Sequence, residues 1–185
     1  MSHVQTSINL PRRAYFMTHE LLILRHAKSD WSVDGDDFSR PLKKRGRQAA
    51  KRIGRWLNEQ YLKPDAILSS PAKRALDTAQ RVCRQLDINE SAIVCDPRLY
   101  EADAQALLAV LKTSCHQRRV LLVGHNPGLE DLLLKLTHLT APLSANGKCL
   151  STAALAHLSF EGDWTELAEG CATLLTLIRP DSLLK

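Results

Sequence analysis

Leu21-Leu22-Ile23-Leu24-Arg25-His26 joins four branched apolar residues directly to an arginine and a histidine. An apolar run of this length is typical of a strand that is buried on both faces of a sheet. Because no turn residue follows the run, the strand presents Arg25 and His26 at its carboxyl end. Three more apolar runs predict strands of the same kind, at residues 66–68, 93–95 and 119–123.

Segments with a helical pattern lie between these runs. In each segment, apolar or small residues recur every three or four positions, which places them on one face of a helix. The segments cover residues 41–57, 72–86, 104–111 and 127–136. Two further apolar runs, at residues 152–158 and 172–178, predict strands that can pair as neighbours. The alternation predicts an α/β three-layer sandwich, in which a mostly parallel central sheet carries helices on both faces.

The length of the chain is compatible with one domain. Its 185 residues, 44% of them hydrophobic, are enough for one buried core and few for two, so we predict a single domain over residues 20–185. Residues 1–19 lack the apolar stretch of a signal peptide, and we interpret them as a disordered extension. No apolar run approaches the roughly 18 residues that cross a bilayer, so we expect no membrane association.

Cysteine and histidine usage bounds the compartment and the cofactors. The five cysteines are widely spaced and form no CxxC pair, which is typical of reduced thiols in the cytoplasm. Apart from His26 and His125, the histidines do not show the spacing of metal ligands. We therefore predict a cytoplasmic protein without a metal or another cofactor.

The positive charge of the chain is local. Eight basic residues and no acidic one lie between Arg40 and Arg55, which leaves the remaining chain at −3 against an overall +5. The basic stripe on this predicted helix is most simply a solvated face, although it could also steer an anionic partner. Nucleic acid is a poor candidate for that partner, because the chain has few aromatic residues.

Reactive side chains follow four of the predicted strands. In a parallel sheet the ligand site lies outside the carboxyl ends of the strands, where loops from several strands meet. Two histidines and two arginines at one such edge would repel one another as cations unless an anion joined them, and phosphate meets that demand. The residues that we expect there are Arg25, His26, Arg74, Glu101 and His125.

Three short motifs then carry a resemblance to a known family. The tetrapeptide Leu24-Arg25-His26-Ala27, residues 70–75 and Val123-Gly124-His125 resemble, in this order, the defining motifs of the histidine phosphatase superfamily. The similarity covers roughly residues 20–178. Within this superfamily, the chain is most similar to the SixA branch of phosphohistidine phosphatases. The similarity rests on its short length, on residues 25–29 and on Arg40-Pro41-Leu42 followed by Gly46. The resemblance implies a phosphoglycerate mutase-like fold.

The resemblance also implies roles for the residues at the sheet edge. His26 would be the nucleophile, neutral at the attacking nitrogen, and would carry the phosphoryl group as phosphohistidine. Arg25 and Arg74 would bind the phosphate oxygens with forked donors, and a protonated His125 would add a further donor. Glu101 occupies the position of the family's proton donor. The family's glycine after the nucleophile is Ala27 here, a small departure. Two more residues are candidate phosphate or substrate neighbours, Lys28 and Asn126.

Two functions remain open on the sequence. The first is a phosphatase that acts on phosphohistidine of a protein or on a small phosphorylated metabolite. The second is a module that binds phosphorylated partners without turnover. Other phosphatase designs fit poorly, because no cysteine is followed by an arginine six positions later and no P-loop motif is present. Asp34-Gly35-Asp36 resembles part of an aspartate-nucleophile motif but lies in a polar loop, so we discount it.

Overall fold

The central sheet is mostly parallel. A computed structural model describes residues 17–33, 35–139 and 149–183, and within them the strand order is β3-β2-β4-β1-β5-β6. Strands β1 to β4 run parallel to one another, whereas β5 is antiparallel to both β1 and β6. The bounds are β1 (Thr18–Arg25), β2 (Ala66–Ser69), β3 (Ile93–Cys95), β4 (Arg119–Gly124), β5 (Leu155–Glu161) and β6 (Ala172–Ile178).

Helices cover both faces of the sheet, as the alternating pattern predicts. The helices of the described residues are α1 (Lys44–Glu59), α2 (Lys73–Gln85), α3 (Ala104–Ser114) and α4 (Gly128–Thr137). Successive residues of a strand point to opposite faces. Accordingly, Leu22 and Leu24 of β1 pack in the core with α1 and α2, and Leu21 and Ile23 pack in the core with α3 and α4. The three-layer α/β fold is confirmed.

The element bounds differ from the sequence prediction in places, each for a local reason. Strand β1 begins at Thr18, so Thr18 and His19 belong to the sheet and not to an extension, whereas residues 1–16 lie outside the described residues. Helix α1 begins at Lys44 and not at residue 41, because Leu42 forms an isolated antiparallel bridge with Ser29. Strand β5 begins at Leu155 rather than at residue 152, since Ala153 has a positive φ of 60°.

No helix of the described residues is long and apolar enough to cross a membrane. The predicted pairing of the last two strands is confirmed, with Phe160 opposite Ala172. Because β2, β4 and β1 are neighbours, their carboxyl ends lie side by side at one edge of the sheet.

Candidate active site

The residues that follow β1, β4 and β2 form one cleft. The backbone N–H of His26 donates to the carbonyl of Gly124 at 3.0 Å, and the N–H of Ser70 donates to the carbonyl of Val123 at 2.9 Å. The ring centroids of His26 and His125 are 5.1 Å apart. The cleft has a volume of about 450 Å³. All seven site residues expected from the sequence line it, namely Arg25, His26, Lys28, Arg74, Glu101, His125 and Asn126.

The hydrogen bond of His26 fixes its tautomer. Nδ1 lies 2.9 Å from the carbonyl oxygen of Ala27, and because a carbonyl only accepts, Nδ1 must carry the proton. The lone pair of the neutral ring is then on Nε2. Burial lowers the pKa of His26 to about 3, and the charges of His125, Arg74 and Arg25 act in the same direction. The His26 ring is therefore neutral at physiological pH, with an unprotonated Nε2.

His125 is also neutral in the free protein. Its Nε2 lies 2.8 Å from Ser70 Oγ, while its buried Nδ1 has no hydrogen-bond partner among the described residues. Burial lowers the pKa of His125 to about 4, and Arg74 adds to this effect while Asp37 opposes it. The protonated form expected beside phosphate thus requires the charge of the bound anion.

Of the two expected arginines, Arg74 is buried and Arg25 is half-buried, and the hydrogen-bonding capacity of both is only partly satisfied. Arg25 donates from Nη1 to the carbonyl of Leu150 at 2.8 Å, and Arg74 donates from Nη1 to the carbonyl of Asp37 at 2.6 Å. The Nε atoms of both residues are buried without a partner in the described part of the chain. A buried guanidinium N–H without an acceptor is costly, so both side chains are suited to bind an anion.

Asp37 is a site residue that the sequence analysis missed. Its carboxylate contacts Arg74 Nη2 and Arg40 Nη2, each at 2.8 Å, and accepts a hydrogen bond from Tyr100 Oη at 3.1 Å. Burial works to raise the pKa of Asp37, but Arg74, Tyr100 and Arg40 together lower it, so the group is ionised. Asp37 therefore orients two guanidiniums beside the histidine pair.

Arg40 and Trp31 were missed as well. Arg40 is 8% exposed, and its Nε and Nη1 atoms have no partner among residues 17–33, 35–139 and 149–183. Its guanidinium carbon lies 3.3 Å from the centroid of the Trp31 ring, a cation–π contact at the rim of the cleft. The signal for Arg40 was present in Arg40-Pro41-Leu42, whereas Trp31 had none.

The remaining expected residues make fewer contacts with the histidine pair. Glu101 lines the cleft with a positive φ of 52°, and its carboxylate makes no hydrogen bond or ion pair within the described residues. Asn126 is engaged elsewhere, because its Nδ2 donates to Glu130 Oε2 at 2.8 Å and to the carbonyl of Leu150 at 3.0 Å. Lys28 lines the cleft beside His26 and is half-buried.

Close packing holds the loop that follows His26 in place. Ala27 is fully buried, and its N–H donates to Thr78 Oγ1 of α2 at 3.0 Å. A Cβ at Gly46 would collide with the backbone of Lys28, so only glycine lets α1 approach this loop. The departure to Ala27 is accommodated without opening the loop. Among the described residues, no group of three or more histidine, cysteine or acidic side chains could hold a metal ion.

We expect the folded state to lose stability as the pH falls from 6.5 towards 4. The pKa values of His26 and His125 are lowered to about 3 and about 4, so the unfolded chain, with histidine pKa values near 6.5, binds protons first. The contribution of the two histidines to the free energy of unfolding is then fully present above pH 6.5. Below pH 6.5 the free energy of unfolding falls by up to about 1.4 kcal/mol per pH unit for each histidine. Urea unfolding at pH 7, 6 and 5 measures this slope. A double variant, His26→Asn with His125→Asn, should be less pH-dependent, and an equal slope in both proteins would refute the assignment.

Comparisons with known proteins indicate the same family as the sequence motifs. The family model of the histidine phosphatase superfamily (branch 1) matches residues 21–107. An uncharacterized protein of Mycobacterium tuberculosis is 30% identical in an alignment of 157 residues, and the match covers 82% of this chain and 96% of that protein. Among solved structures, a putative phosphohistidine phosphatase SixA from Agrobacterium tumefaciens is 28% identical, with a TM-score of 0.71 over 88% of this chain and 98% of that one. The protein histidine phosphatase SixA complexed with tungstate is 24% identical, with a TM-score of 0.73 over 89% and 99%.

Proposed function

This chain belongs to the histidine phosphatase superfamily and is a phosphatase, and from that premise we propose that it hydrolyses phosphohistidine on a protein through a phosphoryl group carried by His26. The observation that carries the proposal is the free Nε2 of a neutral His26 beside His125 and the buried guanidiniums of one open cleft. The similarity to the SixA structures supports the choice of substrate. A small phosphoester is the second candidate substrate, since neighbours of the same fold include a glucosyl-3-phosphoglycerate phosphatase.

The proposed first step is an in-line displacement at phosphorus. The lone pair of His26 Nε2 forms the new P–N bond while the P–N bond of the substrate breaks, and the leaving imidazole nitrogen takes up a proton. Arg25, Arg74 and Arg40 would neutralise the charge on the non-bridging oxygens. The dianion would also raise the pKa of His125, so that its protonated ring donates to the transferring group.

Water completes the proposed cycle. Its oxygen attacks phosphorus, the P–N bond to His26 breaks, and inorganic phosphate leaves together with a proton from the water. Glu101 would supply the acid and base in these steps, although imidazole is a good leaving group and makes a weaker demand for it. Lys28 and Asn126 would lie beside the phosphate or the substrate chain. We also propose a cytoplasmic location, which five cysteines without a disulfide favour.

A substrate panel combined with trapping tests this function. We expect the kcat/KM for a phosphohistidine peptide to exceed those for a phosphoserine peptide and for a sugar phosphate. Brief exposure to labelled phosphohistidine peptide should leave an acid-labile, base-stable label on the enzyme. Binding of the peptide without release of phosphate and without a label would instead support the binding module. A higher kcat/KM for the sugar phosphate would overturn the choice of phosphohistidine but not the phosphatase.

A further inference from the structure

A second groove opens beside the catalytic cleft, along helix α1. We call it the α1 groove. One wall is formed by Arg45, Gln48 and Arg52 of α1, and the other includes Ser151, Thr152 and Asp181. Its volume is about 430 Å³, close to that of the catalytic cleft. The two share Lys28 and Thr152, so the α1 groove is continuous with the place where we put the reacting phosphate.

The charges of the α1 groove are unbalanced. Arg45 and Arg52 form no salt bridge within the part of the chain that the structure describes. Together with Lys28 they bring three cations to a groove in which Asp181 is the one carboxylate among the described residues. The other polar groups of its walls, the amide of Gln48 and two hydroxyls, can donate hydrogen bonds as well. The groove is therefore complementary to carboxylates or phosphates.

The arrangement of charges on helix α1 reduces the stability of the helix. Its first turn contains no acidic residue, although the positive end of the helix dipole lies there. Like-charged residues also follow one another at the i, i+4 spacing, at Arg47–Lys51 and Lys51–Arg55, an arrangement that destabilises a helix. An anionic partner beside Arg45 would compensate for the missing acidic residue in the first turn, whereas the like-charged pairs lie outside the α1 groove. The solvated-face interpretation does not account for this one-sided composition.

The shape of the surface favours an extended ligand over a compact one. Beyond Arg52 the α1 groove meets another depression, lined by Arg55, Trp56, Glu59 and Ser182, so that the acidic Glu59 marks its far end. From Arg45 to Arg55 the helix rises about 15 Å, the length of roughly five residues of extended peptide. A small bisphosphate would leave most of this length empty.

We propose that the α1 groove binds an acidic peptide segment of the substrate protein, adjacent to the phosphorylated side chain in the catalytic cleft. The proposal rests on the proposed function, because it assumes that the substrate is a phosphoprotein. It makes the enzyme selective among phosphoproteins by the charge of the segment that flanks the phosphorylated residue. Asp181 would set the limit on how much negative charge the groove accepts.

Three phosphohistidine peptides that differ only in four flanking residues test the proposal. The flanks are four aspartates, four serines or four lysines. Because each exposed ion pair contributes little and several act together, we expect the aspartate peptide to have a kcat/KM about tenfold above that of the serine peptide, mainly through KM. The lysine peptide should be the poorest substrate. The differences should shrink at high ionic strength, and equal values for the three peptides at low salt would overturn the proposal.

Matched charge reversals separate the groove from the overall charge of the protein. Arg45→Glu with Arg52→Glu should abolish the preference for the aspartate peptide and leave turnover of para-nitrophenyl phosphate unchanged. Lys44→Glu with Lys51→Glu changes the net charge equally on the same helix, outside the groove, and should retain the preference. Asp181→Asn should increase the preference for the aspartate peptide. If the two double variants lose the preference for the aspartate peptide equally, the preference results from the overall charge of the protein, and the proposed binding in the α1 groove is refuted.

Two further outcomes distinguish this inference from the proposed function. If para-nitrophenyl phosphate is hydrolysed but no phosphohistidine peptide is, the proposed substrate fails. Fluorescence anisotropy with the unphosphorylated aspartate peptide then tests peptide binding in the α1 groove independently of catalysis. Binding that depends on Arg45 and Arg52 supports the proposal, and absence of binding overturns it. A single-stranded DNA oligomer that competes as well as the aspartate peptide would also overturn it, since the groove would then accept any polyanion.

Discussion

His26→Ala is expected to abolish the labelled phosphoryl-enzyme and to lower kcat at least about a thousandfold. The reason is the arrangement around the ring: Nδ1 is committed to the carbonyl of Ala27, so Nε2 is the nitrogen that can attack, and alanine supplies none. His125 does not offer the equivalent nitrogen, because its Nε2 is already hydrogen-bonded to Ser70 Oγ. Rapid-quench measurement of the label and steady-state kinetics with the phosphohistidine peptide provide the two readouts.

Two other histidine variants serve as controls for His26→Ala. His116→Ala changes an exposed histidine that does not line the cleft and should leave both readouts as in the wild type. His125→Ala should slow turnover but still permit some label on His26, since the nucleophile remains. Wild-type turnover by His26→Ala would show that another group, or a directly attacking water molecule, performs the transfer, and the proposed mechanism would fail.

The grouping of the site residues at one edge of the sheet could be predicted from the sequence, because this prediction does not depend on the order of the strands. Whatever their order, parallel strands bring their carboxyl ends to one edge, so residues that directly follow β1, β2 and β4 had to lie near one another. The structure accordingly brings His26, His125 and Arg74 into one cleft. The motifs added the expected roles, which a prediction from strand ends alone could not supply.

The loop between β1 and α1 could not be predicted in the same way. Asp37 lies in a polar stretch with no periodicity, and its contact with Arg74 joins residues 37 positions apart, so the local pattern was that of a solvated turn. On the sequence, the neighbouring Asp34-Gly35-Asp36 was considered as part of a nucleophile motif and discounted, whereas Asp37 was passed over. Arg40 was noticed only as part of a family motif. Tertiary contacts, rather than a local pattern, place Asp37 and Arg40 in the cleft.

Arg74→Lys is expected to lower kcat/KM about a hundredfold, although it preserves the charge. Arg74 is 4% exposed, and two of its nitrogens are held by Asp37, so the plane of the guanidinium is fixed relative to the histidine pair. A lysine ammonium is a single point of charge that cannot reproduce this forked arrangement. Arg84→Lys is the matched control on the same helix, since Arg84 is exposed and pairs with Glu90. An unchanged kcat/KM for Arg74→Lys would show that charge alone suffices.

Asp37→Asn then determines how the carboxylate acts on Arg74. If Asp37 orients the guanidinium, the neutral amide should hold it less firmly, and we expect kcat to fall about tenfold with a small change in KM. Asp37→Glu should recover part of the activity, because it restores the charge at a slightly different reach. If Asp37 instead competes with the phosphate for Arg74 and Arg40, Asp37→Asn should lower KM and raise kcat/KM. The two roles predict changes of opposite sign in kcat/KM. The Nε of Arg74, which is buried without a partner among the described residues, favours the first role, since it leaves a donor for phosphate while Asp37 holds the other end of the guanidinium.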